Sequence, residues 1–254
     1  MPDSASITAL LAQMSAPRLN ALFAQEPKRA ADWVHVTAAE GLPQAQLCYG
    51  RMLLEGTGRP KDPAAALDWF RRAAARGDIE ALNMVGRCLD NGWGTAVDPK
   101  AAAAHFRLAA AAGHAWAQYN LGHLYLDGRG VARDRTQAFA WYLKSAEQGH
   151  ERAMNLVGRC CEEAWGTARD PAAAADWYRQ SAQAGYFRGQ YNWASVLLKN
   201  GREDEAAAWF ERAITDSPAA LRPAMRAAVR IALARAGSSG ALRALASRLT
   251  SAAE

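Results

Sequence analysis

The sequence lacks the features that mark membrane-spanning and secreted proteins. None of its apolar runs approaches the roughly 20 residues that a transmembrane helix needs. The first twenty residues include Asp3 and have no basic residue ahead of their short apolar segment, so we expect no secretory signal. We therefore expect a cytoplasmic protein without membrane insertion.

Cysteine is also scarce. The four cysteines are Cys48, Cys88, Cys160 and Cys161. Cys160 and Cys161 are adjacent and would point about 100° apart on a helix, which is unfavourable for holding a metal ion together. We expect four reduced thiols, mostly buried, as is usual for cysteines in a cytoplasm.

No group of residues indicates a catalytic centre. The five histidines are scattered, and no two of them have the helical spacing of a metal site. The glycine pairs, such as Gly56 and Gly58, follow predicted helices, whereas a phosphate-binding loop follows a strand. The sequence therefore predicts no catalytic residue, no metal and no cofactor, in a protein that is not an enzyme.

A run of basic residues is missing as well. The net charge is +5 and the pI ≈ 9.2. Lysine and arginine alternate with aspartate and glutamate along the whole chain. This mixed-charge surface argues against a nucleic-acid partner.

What the sequence does contain is a pattern that recurs every 36 residues. The four columns that keep this step are Gly50, Gly86, Gly122 and Gly158; Gly77, Gly113, Gly149 and Gly185; Ala45, Ala81, Ala117, Ala153 and Gly189; and Asp62, Asp98, Asp134 and Asp170. One spacing carried by four independent columns predicts a solenoid of stacked repeats.

These residues resemble the Sel-one-like repeat, the long-loop relative of the tetratricopeptide repeat. The third repeat carries the family pattern nearly throughout, at Ala117, Leu121, Gly122, Tyr125, Gly128, Gly130, Val131, Asp134, Ala138, Trp141, Tyr142, Ala146 and Gly149. The resemblance implies an all-α fold, a right-handed α-α superhelical solenoid of Sel-one-like and tetratricopeptide-like helix pairs. It also implies an adaptor or scaffold without chemistry of its own.

The repeat step predicts the organisation of the whole chain. The predicted parts are N-terminal capping helices over 1–42, with a degenerate half-repeat from about 26; four 36-residue repeats over 43–186; a tetratricopeptide-like repeat over 187–220; and a C-terminal capping helix pair over 221–254. The fifth repeat differs because its glycine loop has lost four residues, leaving Asn200–Glu205. Terminal elements of a solenoid cover the apolar faces of the outermost repeats.

Each repeat carries local signals for two helices. Glycines of the Gly50 column would let the two helices approach closely, and a glycine loop follows the first helix. The second helix opens with an N-cap aspartate, followed in Asp62-Pro63 and its equivalents by a proline at the first helical position. Aromatic pairs such as Trp69-Phe70 would then fill the space between the helices.

The first helices supply the candidate binding residues. In the tetratricopeptide pattern, a groove is faced by positions at fixed offsets from the signature glycine. The candidates are Arg51, Asn83, Arg87, Trp116, Tyr119, His123, Arg152, Asn155, Arg159, Arg188 and Tyr191. Arginine offers a rigid fork for carboxylates, and asparagine can pair with a peptide backbone. We expect Arg87, Tyr119, His123, Asn155 and Arg159 to converge at the centre of the groove.

A simpler interpretation of these columns stays open. Three candidates have an acid four residues later, in the pairs Arg51–Glu55, His123–Asp127 and Arg159–Glu163. Such pairs can satisfy each other on a solvated helix, for about 0.2–0.5 kcal/mol each.

The leading hypothesis is a cytoplasmic, bacterial adaptor that binds a protein or peptide segment in its groove, with acidic or carboxylate groups as the preferred ligand chemistry. The bacterial source is suggested by the alanine- and arginine-rich composition. One alternative is binding of single-stranded nucleic acid, which would predict basic residues in most groove columns. Another is an accessory role beside a cell-wall hydrolase. The sequence indicates no oligomeric state.

Overall fold

The computed structural model describes residues 23–234 and 240–251, and every regular element in these residues is an α-helix. Thirteen helices lie wholly within them, numbered here α1 to α13 in chain order. The prediction of an all-α fold is confirmed. The chain divides into two compact units, Met1–Arg133 and Asp134–Glu254. The boundary falls between the two helices of the third repeat.

Six of these helices lie in the first unit and pack in sequence order, each on the next. They are α1 Pro27–Ala39, α2 Pro43–Glu55, α3 Pro63–Ala75, α4 Ile79–Asn91, α5 Pro99–Ala111 and α6 Ala115–Asp127. The pairs α2/α3 and α4/α5 lie in the first two predicted repeats.

The second unit contains seven helices, and consecutive helices again pack on each other. They are α7 Arg135–Glu147, α8 Glu151–Glu163, α9 Pro171–Gln183, α10 Phe187–Lys199, α11 Glu203–Thr215, α12 Arg222–Ala234 and α13 Gly240–Ser251. A buried cluster that runs from Ala194 to Leu249 joins α10 and α11 to the last two helices. The capping roles of 1–42 and 221–254 stay predictions, and residues 1–22 lie outside the described part.

The second helices begin where the aspartate column predicts. Asp62 Oδ1 accepts a hydrogen bond from the Ala65 amide at 3.0 Å, and Asp134 Oδ1 accepts one from the Gln137 amide at the same distance. Among the first helices, α4 is capped by Asp78, whereas α6 and α8 have histidine caps. His114 and His150 each accept an amide hydrogen bond through Nδ1, from Ala117 and Ala153. These caps satisfy amides that the first turn of a helix leaves without a partner.

The glycine column lies at the tightest helix crossing within a repeat. A Cβ at Gly86 would lie 2.6 Å from Phe106 Cε1, and one at Gly158 would lie 2.7 Å from Tyr178 Cδ1. The aromatic residue in this contact is the second of each predicted pair, and it is fully buried. The first of the pair is half-buried, and the Trp69 ring meets that of Tyr49 on α2 edge to face, with centroids 5.4 Å apart.

The loop after each first helix rests on the preceding repeat. A Cβ at Gly94 would collide with the backbone carbonyl of Pro63, the first residue of α3. Gly130 has the same relationship to Pro99, at the start of α5. In the fourth repeat the first loop residue is Ala164, which keeps the left-handed conformation at φ 56 although it carries a side chain.

Candidate protein-binding surface

An aromatic row runs along α6 in the first unit. The rings of Trp116 and Tyr119 meet edge to face with centroids 5.9 Å apart, and those of Tyr119 and His123 do so at 4.6 Å. Trp116 is 40% exposed, whereas Tyr119 and His123 are half-buried. Burial lowers the pKa of His123 below its ordinary value, and this effect outweighs the opposing attraction of Asp127. The row therefore presents uncharged aromatic surface near neutral pH.

Arg51 does not form the predicted pair with Glu55. Its Nη2 instead donates to Glu80 Oε1 of the next repeat at 2.7 Å. Glu80 Oε2 also lies 2.8 Å from His114 Nε2. These contacts, the one with His114 foremost, hold the pKa of Glu80 below its ordinary value although burial opposes the shift. The prediction for Arg51–Glu55 is wrong because the neighbouring repeat brings a carboxylate within reach of the guanidinium.

Arg87 lies against the loop of its own repeat. Its guanidinium carbon is 5.1 Å from the centroid of the Trp93 ring, and its Nη1 is 3.4 Å from Met84 Sδ. A guanidinium on an indole face is held by cation–π attraction. The half-buried Arg87 side chain is therefore oriented by the packing of α4 and its loop.

Asn83 and Asn155 are not on the surface, contrary to the expectation that they contact a ligand backbone. They are 2% and 4% exposed. Asn83 Oδ1 accepts a hydrogen bond from Asn120 Nδ2 at 3.0 Å, and Asn155 Oδ1 accepts one from Asn192 Nδ2 at 2.7 Å. Their place in the first helix is as predicted, but the following repeat covers them. They join adjacent repeats.

In the second unit, the remaining candidates lie beside aromatic rings. Arg159 Nη2 donates to Glu163 Oε1 at 3.2 Å, so the predicted i,i+4 pair is confirmed there. The same guanidinium lies 4.7 Å from the Trp165 ring centroid. Arg152 lies 5.8 Å over Tyr186, and Arg188 lies 5.7 Å over Phe187.

An open pocket of about 490 Å³ adjoins Tyr191 in the second unit. Its lining residues are Glu162, Tyr178, Tyr191, Asn192, Ser195, Val196, Leu198, Lys199, Ile231 and Ala232. Glu162 Oε2 accepts from the Tyr178 hydroxyl at 2.8 Å, and its Oε1 accepts from Lys199 Nζ at 3.2 Å. Burial raises the pKa of Glu162, but these two hydrogen bonds and the positive charges of Lys199 and Arg159 together outweigh it and lower the pKa. Ile231, which is 56% exposed, supplies an apolar wall.

Sequence reasoning missed this pocket because α12 is not part of the repeat pattern. The signal that was present is the acid four residues after the signature glycine, at Asp90 and Glu162. Arg129 donates to Asp90 at 2.7 Å, just as Lys199 donates to Glu162. Whether the five central candidates converge stays a prediction, since they are divided between the two units.

The described residues contain no group of three or more histidine, cysteine, aspartate and glutamate side chains that could hold a metal ion. Within the same residues, no helix is both long and apolar enough to cross a membrane. All four cysteines are free thiols. Burial raises the pKa of Cys88 to about 11 and that of Cys160 to about 12. These thiols are therefore poor nucleophiles near neutral pH.

Comparison with known families identifies the repeat. The model described as the Sel1 repeat matches five segments, at residues 43–78, 79–114, 117–150, 151–186 and 188–216. The chain belongs to the Sel1 repeat family. The last match covers most of the segment for which we expected an ordinary tetratricopeptide repeat, so the shortened loop does not remove it from the Sel1 pattern.

Solved structures share this Sel1 fold. A Sel1 repeat protein from Oxalobacter formigenes is 25% identical, with a TM-score of 0.79 over 94% of this chain and 98% of that one. The protective antigen c5321 of uropathogenic Escherichia coli strains is 24% identical, with a TM-score of 0.71; the alignment covers 89% of this chain but only 50% of that protein. The immunity protein Pa5087 from Pseudomonas aeruginosa is 17% identical, with a TM-score of 0.53 over 82% of this chain and 80% of that one. Curated proteins show no match. Sel1 repeat proteins generally act in protein–protein interaction and are typically non-catalytic scaffolds.

Proposed function

We propose that this chain is a non-enzymatic adaptor of the bacterial cytoplasm that binds a peptide segment of another protein on the first helices of its repeats. The observation that carries the proposal is the aromatic row of Trp116, Tyr119 and His123 on α6. Partly exposed aromatic side chains, held by their neighbours, supply much of the binding energy in protein interfaces. Tyrosine and tryptophan also lose little conformational entropy when a ligand covers them.

Arginines on two other first helices, α4 and α8, supply the ligand preference. The guanidinium carbons of Arg87 and Arg159 lie over indole rings, 5.1 and 4.7 Å from the ring centroids. The N–H donors lie in the guanidinium plane, at its edge, where they match the two oxygens of a carboxylate. We therefore propose that the bound segment carries acidic side chains or a terminal carboxylate beside apolar ones.

The test begins with a phage-displayed library of short random peptides, selected on the intact chain. A selected peptide is then titrated against wild type and against Trp116→Ala and Tyr119→Ala. We expect each substitution to weaken binding at the site that contains it at least about tenfold, as is usual for an aromatic residue at the centre of an interface.

Leu108→Ala is the matched control. Leu108 lies on the second helix α5 of the same unit and is 60% exposed. Its substitution therefore removes exposed apolar surface that is not part of the aromatic row. Equal binding by all variants would exclude the aromatic row as the site. Failure to enrich any peptide would refute the proposed function itself.

A further inference from the structure

The repeats alternate in type, with a period of two repeats. Residues 83–88, Asn-Met-Val-Gly-Arg-Cys, correspond to Asn-Leu-Val-Gly-Arg-Cys at 155–160. The tripeptide Gln-Tyr-Asn occurs at 118–120 and again at 190–192. Both correspondences have a step of 72 residues (155 − 83 and 190 − 118). The second repeat thus matches the fourth, and the third matches the fifth.

In the first unit, six residues form three side-chain contacts, and we call them, together with Tyr119, subsite 1. It consists of Asn83, Arg87, Asp90, Trp93, Tyr119, Asn120 and Arg129. Asn120 donates to Asn83 at 3.0 Å, Arg87 lies 5.1 Å over Trp93, and Arg129 donates to Asp90 at 2.7 Å. The half-buried ring of Tyr119 is next to Asn120 in the chain.

In the second unit, similar contacts form subsite 2. It consists of Asn155, Arg159, Glu162, Trp165, Tyr191, Asn192 and Lys199. Six of its residues lie 72 positions after their equivalents in subsite 1, whereas Lys199 lies 70 positions after Arg129 and occupies the position of Asp127. Asn192 donates to Asn155 at 2.7 Å, Arg159 lies 4.7 Å over Trp165, and Lys199 donates to Glu162 at 3.2 Å. Asp90 is replaced by the longer Glu162, and Phe106 by Tyr178, whose hydroxyl donates to that longer acid.

Packing of the solenoid does not require this alternation. Every repeat needs the small-residue and aromatic columns. The first and third repeats keep those columns but have other residues at the tryptophan and acid positions. They have Thr57 and Arg129 at the tryptophan position, and Leu54 and Leu126 at the acid position. Some of the alternating residues, such as Asn83 and Asn155, are buried and join adjacent repeats. The arginine, tryptophan and tyrosine positions are half-buried, and their duplication points to a role beyond folding.

Subsite 2 shows how its arginine holds a carboxylate. Glu163 Oε1 lies 3.2 Å from Arg159 Nη2 while the indole of Trp165 covers the guanidinium face. The residue equivalent to Glu163 in subsite 1 is Asn91, whose Nδ2 instead donates to the Arg87 carbonyl at 2.8 Å. A carboxylate from a ligand can take the place of Glu163, because an exposed i,i+4 pair is worth only about 0.2–0.5 kcal/mol.

We propose that subsites 1 and 2 are two equivalent binding sites for the same peptide element, an acidic side chain beside an apolar one. In each, the arginine binds the carboxylate, and the tyrosine ring contacts the apolar side chain. In subsite 2 the open pocket beside Tyr191 and Ile231 accommodates that apolar side chain. The chain thus binds two copies of the element, from one partner with a duplicated motif or from two. This inference rests on the proposed function and adds a stoichiometry to it.

The experiment is an isothermal titration of the intact chain with one selected short peptide. We expect two peptides per chain for wild type, one for Arg87→Gln, one for Arg159→Gln, and none for the double variant. The matched control is Arg107→Gln with Arg179→Gln. These arginines are also 72 residues apart and exposed, but they lie on the second helices α5 and α9, so two peptides should still bind.

A second pair of variants, Tyr119→Ala and Tyr191→Ala, should also remove one peptide each, which keeps the test valid if an arginine variant misfolds. Circular dichroism and the melting temperature verify the folded state. A stoichiometry of one for wild type, or two peptides bound by the double arginine variant, overturns the inference and leaves the proposed function standing. If no peptide binds the wild-type chain, both fail.

Discussion

Asn192 Nδ2 donates a hydrogen bond to Oδ1 of Asn155 at 2.7 Å, and Asn155 is 4% exposed. The two residues lie on α10 and α8, the first helices of successive repeats, so the bond joins one repeat directly to the next. A buried polar group that loses its partner keeps its desolvation cost, whereas removal of both partners relieves it.

A double-mutant cycle measures this bond. We expect Asn192→Ala alone to lower the free energy of unfolding by about 1–3 kcal/mol, since the oxygen of Asn155 is left buried without its donor. The double variant with Asn155→Ala should cost less than the sum of the two single variants. Chemical denaturation followed by circular dichroism gives all four values. Strict additivity would show that the two amides do not interact.

The glycine at the helix crossing of the second repeat gives a packing prediction. A Cβ at Gly86 would lie 2.6 Å from Phe106, a ring that is 1% exposed and cannot move away without disturbing its neighbours. Gly86→Ala should lower the free energy of unfolding by about 1–3 kcal/mol, although alanine favours helix. Gly240→Ala is the control, because nothing lies within 4 Å of a Cβ there. Unchanged stability of the Gly86 variant would mean that α4 and α5 are farther apart than the structure shows.

The thiols give a reactivity prediction. Cys48 is half-buried, whereas Cys88, Cys160 and Cys161 are buried. Burial raises the pKa of Cys88 to about 11 and that of Cys160 to about 12, so few thiolates exist near neutral pH. A thiol reagent should modify Cys48 first in the native protein and all four cysteines after unfolding without reductant. Fast native modification of Cys88 would contradict its burial, and fewer than four thiols would reveal a disulfide.

Glu80 gives a prediction about acid stability. Its pKa is lowered in the folded state, mainly by the hydrogen bond with His114 and also by Arg51. A lowered folded pKa stabilises the protein at pH values above the ordinary value of about 4.5, and this stabilisation is lost as the pH falls through the folded pKa. The stability difference between wild type and Glu80→Gln should therefore shrink as the pH is lowered from neutral to about 3. Glu147→Gln, at an exposed position, serves as the control; the same pH-dependent change in both variants would contradict the role of the His114–Glu80–Arg51 contacts.

The repeat step predicted the helices well because it records contacts that every repeat makes. Asp62, Asp98, Asp134 and Asp170 mark the starts of the second helices, and all four cap them. His114 and His150 likewise cap the first helices α6 and α8.

The candidate surface was harder to predict. A position in the repeat shows which side of its helix a residue lies on, but it does not show which residue of the next repeat covers it. Asn83 and Asn155 were therefore assigned to the surface although Asn120 and Asn192 cover them. Arg51 was paired within its own helix, whereas its carboxylate partner, Glu80, is 29 residues away. The pocket beside Tyr191 depends on α12, which carries no repeat pattern.

The second glycine of each loop in the first unit packs against the first residue of a helix in the preceding repeat. The pairs are Gly58 with Pro27, Gly94 with Pro63 and Gly130 with Pro99. Each of these turns is therefore packed on a helix start of the repeat before it. Deletion of α1 would remove Pro27, on which the 56–58 turn packs. Pro63, on which the next turn packs, would remain. A protease should accordingly cut such a truncated chain first near Gly58, and the sites that follow should be exposed one after another.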